Sequence, residues 1–88
     1  MDKTVVKRRI VVLIKQHFSD VLDTKQIDTN EKVDLFYGSV NMNSFTIMAL
    51  LVKIEQEFDI MIDESDVSIE HMRSVDAIGD LVHKYLQA

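Results

Sequence analysis

An all-α fold is what this sequence predicts, on three observations. The chain contains no proline and only two glycines, Gly38 and Gly79, so almost nothing in it interrupts a helix. Apolar residues recur at helical spacing in three well-separated segments. The composition, 47% apolar and 28% charged with both signs present, is that of an ordinary folded domain rather than a disordered or fibrous one.

The first segment covers residues 3–18, where Val6, Ile10, Leu13, Ile14 and Phe18 line one helical face. Ser19 and Asp20 mark its end. From Val21 to Asn43 the pattern loosens to scattered anchors: Val21, Leu22, Ile27, Val33, Leu35, Phe36 and Val40. A structureless stretch of this length is uncommon in a compact domain, so it is expected to be pinned and partly helical. The clearest helix begins near Ser44, with Ile47, Leu50, Leu51, Ile54 and Phe58 spaced i, i+3, i+4, i+7, i+11 and Asn41 and Asn43 as start signals. A short segment follows from Asp63 to Met72. In it Asp63-Glu64-Ser65-Asp66 reads as a capping region, and Val67, Ile69 and Met72 as apolar contacts. Ser74 caps a last helix whose core face is Val75, Ile78, Leu81, Val82, Tyr85 and Leu86. The expected layout is a four-helix bundle with a long first loop and a short third helix. Residues 1–88 form a single domain in this reading, since 88 residues suffice for one modest core.

Composition also excludes function classes. With no cysteine, the chain has no disulfide, thiolate metal site or thiol nucleophile of its own. Residues 1–26 carry six basic and three acidic side chains and residues 27–88 carry four and twelve, so a +3 segment precedes a −8 body. An acidic body argues against nucleic acid, whose binding rests on neutralising phosphates, and suits basic protein partners. The basic first segment reads either as a solvated helix face or as a docking surface. The start of the chain lacks the apolar core of a signal peptide, and Ile10 to Ile14 is too short to span a membrane, so a cytoplasmic protein is expected.

Ser44 stands where a polar loop meets an amphipathic helix. Free N–H groups and the helix dipole make that a favourable place for an attached anion, although by position alone a serine there is a cap or first-turn residue. Phe45, Met48 and Val52 form a second apolar stripe rotated away from the core stripe. Periodicity alone reads them as the flank of a wide buried face. His17, His71 and His83 lie far apart and suggest no nucleophile–base pair, so no catalytic residue is expected. Asp63, Glu64 and Asp66 lack the alternating ligands, glycine and distal glutamate of a calcium loop, and no metal is expected. Met42, Met48, Met61 and Met72 read as core filler.

Phe36, then Val40-Asn41-Met42-Asn43-Ser44-Phe45, then Leu50, Ile54, Glu55-Gln56-Glu57-Phe58-Asp59 and Ile62 together resemble the core of the acyl and peptidyl carrier protein family. The resemblance covers nearly the whole chain and implies an all-α, four-helix bundle of the acyl-carrier type. The family's hallmark is Asp-Ser-Leu at the start of the second helix. A dedicated phosphopantetheinyl transferase esterifies that serine with 4′-phosphopantetheine from coenzyme A. Ser44 matches the serine and Phe45 the apolar residue after it. By the same resemblance, Phe45, Met48 and Val52, with Asn43, border the serine and contact partner enzymes. The departures are specific. Asn43 replaces the aspartate, Asn41 replaces the usual glycine, and Thr46 and Ala49 occupy positions that are often acidic, with Lys53 adding a positive charge.

The expected function is therefore that of a discrete, monomeric acyl carrier without catalytic activity. It holds acyl groups as thioesters on an arm at Ser44, with no cysteine thiol present to intercept them. Its expected partners are the transferase and the acyl-loading and acyl-processing enzymes of its pathway. The thinned acidity near Ser44 favours a specialised pathway, such as polyketide or other natural-product assembly, over fatty acid biosynthesis. The alternatives are an aminoacyl carrier for a cell-envelope or peptide pathway, and an arm-less helical interaction module that uses Phe45, Met48 and Val52 for binding.

Overall fold

In the computed structural model, which describes residues 1–20, 27, 32, 34, 35 and 44–87 (for Ser44 the backbone alone), the regular elements are all helical. Helix α1 spans Lys3–His17. Asp2 starts it by accepting the Thr4 N–H at 2.9 Å, and Phe18 closes it by donating its N–H to the Ile14 carbonyl at 2.8 Å. Val6, Ile10, Leu13, Ile14 and Phe18 are all buried, as their spacing predicts. Helix α2 spans Ser44–Phe58 and buries Ile47, Leu50, Leu51, Ile54 and Phe58. A single 3₁₀ turn, Glu64–Asp66, leads to the short helix α3, Ile69–Met72, and then to α4, Val75–Gln87.

Helix α1 packs on α4 and on α2, and α3 packs on α4. The sides facing one another form one core that also takes in Ile27, Leu35, Ile62 and Met72. Ile27 and Leu35 are fully buried, so the segment between α1 and α2 is anchored at both. Its attachment is polar as well. The Leu35 N–H donates to the Arg73 carbonyl at 2.7 Å, and the Arg73 guanidinium pairs with Asp34 at 2.7 Å. The other expected anchors, Val21, Leu22, Val33, Phe36 and Val40, lie outside the described residues.

Ser74 caps α4 as expected, its hydroxyl accepting the Ala77 N–H at 3.0 Å. Val75, Ile78, Leu81 and Val82 are buried, and Tyr85 and Leu86 pack at the core's edge. Asp63 caps the 3₁₀ turn by accepting from both the N–H and the hydroxyl of Ser65 at 2.9 Å, which holds its carboxyl below the usual carboxylate range. The Tyr85 hydroxyl donates to the Asp66 carboxylate and accepts the Asp63 N–H, tying the turn to the end of α4; the bond to Asp66 raises the Tyr85 pKa. Two expectations are corrected here. Ile69 is exposed rather than a core contact, because it is the first residue of a four-residue helix whose single buried position is Met72. Met48 and Met61 are exposed, so of the four methionines read as filler Met72 is one and Met42 lies outside the described residues.

The basic character of α1 is largely spent inside the molecule. Lys3 pairs with Asp80 at 3.2 Å and Lys7 with Asp76 at 2.8 Å, clamping α1 to α4. The hydrogen bond from Lys7, a half-buried lysine, holds the Asp76 carboxyl below its ordinary range. Gly79 makes this clamp possible. A Cβ at that position would stand 2.6 Å from the Lys7 Cγ, so the lysine stem crosses α4 where only a glycine leaves room.

Replacing an interior helical glycine with alanine ordinarily stabilises by about 1 kcal/mol. Gly79→Ala is expected instead to destabilise the wild type, because the methyl displaces the Lys7 stem and its ion pair. In a Lys7→Ala background the same change should stabilise by up to about 1 kcal/mol. Denaturant unfolding of the four variants checks this, and the same sign in both backgrounds would refute it.

Candidate functional site

Fifteen residues make up α2, and Ser44 is its first. An α-helix leaves its first N–H groups without intrahelical partners and carries a partial positive charge at that end. The start of α2 is also the one best suited to a permanent anion. Its first turn contains no acidic side chain, whereas the first turns of α3 and α4 carry Glu70 and Asp76, and α1 is capped by Asp2. A phosphodiester there would meet no neighbouring carboxylate from the helix itself.

The other described serines are occupied or poorly placed. Ser74 is buried as the cap of α4, Ser68 caps a helix of only four residues, and the Ser65 hydroxyl donates to Asp63. Ser19 lies in the turn after α1.

From the start of α2 an apolar stripe runs outward. Phe45 is 82% exposed, Met48 49% and Val52 44%, while Ile47, Leu50, Leu51 and Ile54 on the opposite side are buried. The reading of Phe45, Met48 and Val52 as the flank of one wide buried face is therefore overturned. A bundle this thin covers one side of α2 and leaves the other to solvent. Thr46 is buried in the first turn, so the polar residue two places after Ser44 belongs to the inner side. Asn43, expected to border Ser44, lies outside the described residues.

Glu55 and Glu57, the carboxylates nearest the far end of α2, hold the fold together. The Glu55 carboxylate accepts the Ile62 N–H at 2.8 Å, fixing the chain as it leaves the helix. Glu57 pairs with Arg9 of α1, whose guanidinium also donates to the Glu57 carbonyl at 3.0 Å and lies 4.8 Å from the centre of the Phe58 ring. No basic residue occupies the last turn of α2, so Arg9 supplies the positive charge that the carbonyl end of the helix favours. Asp59 follows with φ 53°, and the Ile60 N–H donates back to the Glu55 carbonyl at 3.1 Å, closing the helix in a Schellman arrangement. Sequence reading missed this brace. The signal for it was a helix lacking a terminal cation beside a first segment rich in them.

No three acidic, histidine or cysteine side chains converge among the described residues to hold a metal ion. The His71 ring nitrogen Nδ1 lies 2.6 Å from the Asp66 carbonyl, a local contact within the α3 region.

A family model described as a phosphopantetheine attachment site matches residues 12–82. The chain belongs to that family of acyl and peptidyl carrier proteins. No curated protein and no solved structure matches it. Carriers of this family bear 4′-phosphopantetheine covalently on a serine and are served by a transferase and by the enzymes of a pathway. The all-helical bundle is the fold such a carrier requires. The match takes in α2 and α3 whole, together with the end of α1 and most of α4. No helix among the described residues is long and apolar enough to cross a membrane.

The two sides of α2 should differ sharply in what they contribute to carrier stability. Leu50→Ala, at a fully buried position, should cost roughly 2–5 kcal/mol, and Val52→Ala less than about 1.5 kcal/mol. Urea denaturation measures both, and equal losses would mean that the outer stripe is packed in solution.

Proposed function

We propose that Ser44 is the serine that carries the arm, and that the chain works as a monomeric, single-domain cytoplasmic acyl carrier over residues 1–88. The observation that carries this reading is the coincidence of the family match with a serine opening a fifteen-residue helix. The carboxylate-free first turn and the occupied state of the serines that cap other turns support it further. When bound, the arm supplies a thiol on which acyl groups travel as thioesters. The chain's own contribution is positional: α2 presents the attachment point, its buried stripe holds that point rigid, and its outer stripe of Phe45, Met48 and Val52 meets the enzymes. Partner enzymes perform the chemistry in this reading, and the carrier adds no catalytic residue.

A specialised pathway, polyketide or other natural-product assembly, is favoured over fatty acid synthesis. The support is the scarcity of free carboxylates along α2. Thr46, which is buried, and the part-exposed Ala49 and Lys53 supply none after Ser44, and Glu55 and Glu57 are already engaged within the carrier. An enzyme that reads carriers chiefly through a strip of free carboxylates would find little to hold here.

Incubating the protein with coenzyme A and a broad-specificity phosphopantetheinyl transferase should raise its intact mass by one arm. Ser44→Ala should abolish that increase while leaving helical content near wild type, since at most a capping interaction of about 1 kcal/mol is at risk. Labelling that persists in Ser44→Ala would place the arm elsewhere. A wild type that never gains mass would favour an arm-less interaction module.

A further inference from the structure

The outer face of α1 is apolar and positive on a molecule of net charge −5. Val5 is 42% exposed and Val12 54%, and at a spacing of seven residues they fall on one side of the helix, away from the buried Val6, Ile10 and Ile14; Met1, ahead of the Asp2 cap and 57% exposed, reaches the Arg9 guanidinium with its sulfur at 3.7 Å. Arg8 lies among them, also exposed. Beside it is a shallow recess of about 200 Å³ lined by Arg8, Arg9, Val12, Leu13, Gln16 and Glu57. The guanidinium of Arg9 is already committed to Glu57 at this recess.

Charge bookkeeping along α1 singles out Arg8. Lys3, Lys7 and Arg9 each pair with a carboxylate of α4 or α2, and Lys15 is engaged as well. Arg8 makes no ion pair or hydrogen bond among the described residues. A guanidinium is a fixed fork of donors that matches a carboxylate in two-point contact. A carboxylate on a partner protein would make that contact with Arg8, beside apolar side chains that can cover Val5 and Val12.

We infer that the outer face of α1 is a second docking surface, and that its occupant is an acidic amphipathic helix of a partner protein. Such a helix places apolar residues against Met1, Val5 and Val12 and a carboxylate on Arg8, by the helix-on-groove mode of recognition. The recess adjoins Glu57 at the far end of α2. At a rise of about 1.5 Å per residue, that end is about 20 Å from Ser44. A partner held on α1 therefore leaves the start of α2 uncovered, so the carrier can stay tethered to one protein while Ser44 is presented to others. This use of the surface builds on the reading of Ser44 given above; the binding itself does not require it.

The test is an NMR titration of the isotope-labelled full chain with a synthetic helical peptide of leucine–glutamate heptads, against its leucine–lysine counterpart. The acidic peptide should shift Val5, Arg8 and Val12 saturably, and the lysine peptide should not. Arg8→Glu should weaken the acidic peptide at least tenfold, and Ser44→Ala should bind it like wild type, separating this surface from the arm. Equal binding of the two peptides, no saturable shift, or shifts confined to Phe45, Met48 and Val52 would overturn the inference. Shifts of Val5 and Val12 produced by anionic lipid vesicles but not by the acidic peptide would overturn it too, assigning the face to a membrane surface.

Discussion

Helix α2 has apolar side chains on two sides, and a bundle of this size can bury only one of them. Ile47, Leu50, Leu51, Ile54 and Phe58 go inward, at about 0.8 kcal/mol per buried methylene. That choice determines the rest. Once the inner stripe is packed against the core, no layer among the described residues covers Phe45, Met48 and Val52, and they stand exposed. A run of exposed apolar residues beside a helix start is a liability for a solitary protein and an asset for one that must be handled by others. The fold places Ser44, the serine proposed to carry the arm, and the uncovered stripe on the same helix. The burial that stabilises the bundle thus also orients the surface proposed to meet partners.

Electrostatics supports the same division. The split between a positive first segment and a negative body is mostly an internal pairing scheme, in which Lys3 and Lys7 reach α4 and Arg9 reaches the carbonyl end of α2. The exposed pairs contribute little individually, about 0–1 kcal/mol each. Their geometric effect is larger. The Lys7–Asp76 pair requires Gly79, and the Arg9–Glu57 contact removes a carboxylate from the surface that family resemblance would have assigned to recognition. Glu55 is withdrawn in the same way by its bond to the Ile62 N–H. Among the described residues of α2, the exposed side near its start is Phe45, Met48 and Val52, with Lys53 at its edge and Gln56 and the paired Glu57 toward the far end.

The stripes of α1, α2 and α4 could be read from the sequence because helical periodicity is a property of consecutive residues. The cap at Ser74 was legible for the same local reason, and Ile27 and Leu35 stood out as apolar residues in a polar stretch. Other features were not legible because they depend on residues far apart in the chain. Whether Phe45, Met48 and Val52 were the edge of a buried face or an exposed one depended on how much of α2 its neighbours cover. The engagement of Glu57 depended on Arg9, forty-eight residues away. Ile69 was misread because a helix of four residues has too little length to show which side faces the core. Ser44 itself was placed by resemblance rather than by its neighbours' chemistry, since a serine opening a helix is most often only a cap.

The central claim is that partners read the outer stripe of α2 through apolar contact rather than through carboxylates. The most direct measurement is the catalytic efficiency of arm transfer to wild type, Phe45→Ala, Met48→Ala and Glu57→Gln, at low and high ionic strength. Exposed charges are screened over about 8 Å at physiological salt, whereas buried apolar anchors are not, and removing such an anchor commonly costs 2 kcal/mol or more. The account predicts weak salt dependence, a sharp loss in Phe45→Ala and Met48→Ala, and little change in recognition for Glu57→Gln. A steep fall with salt, together with near-neutral Phe45→Ala and Met48→Ala variants, would contradict it.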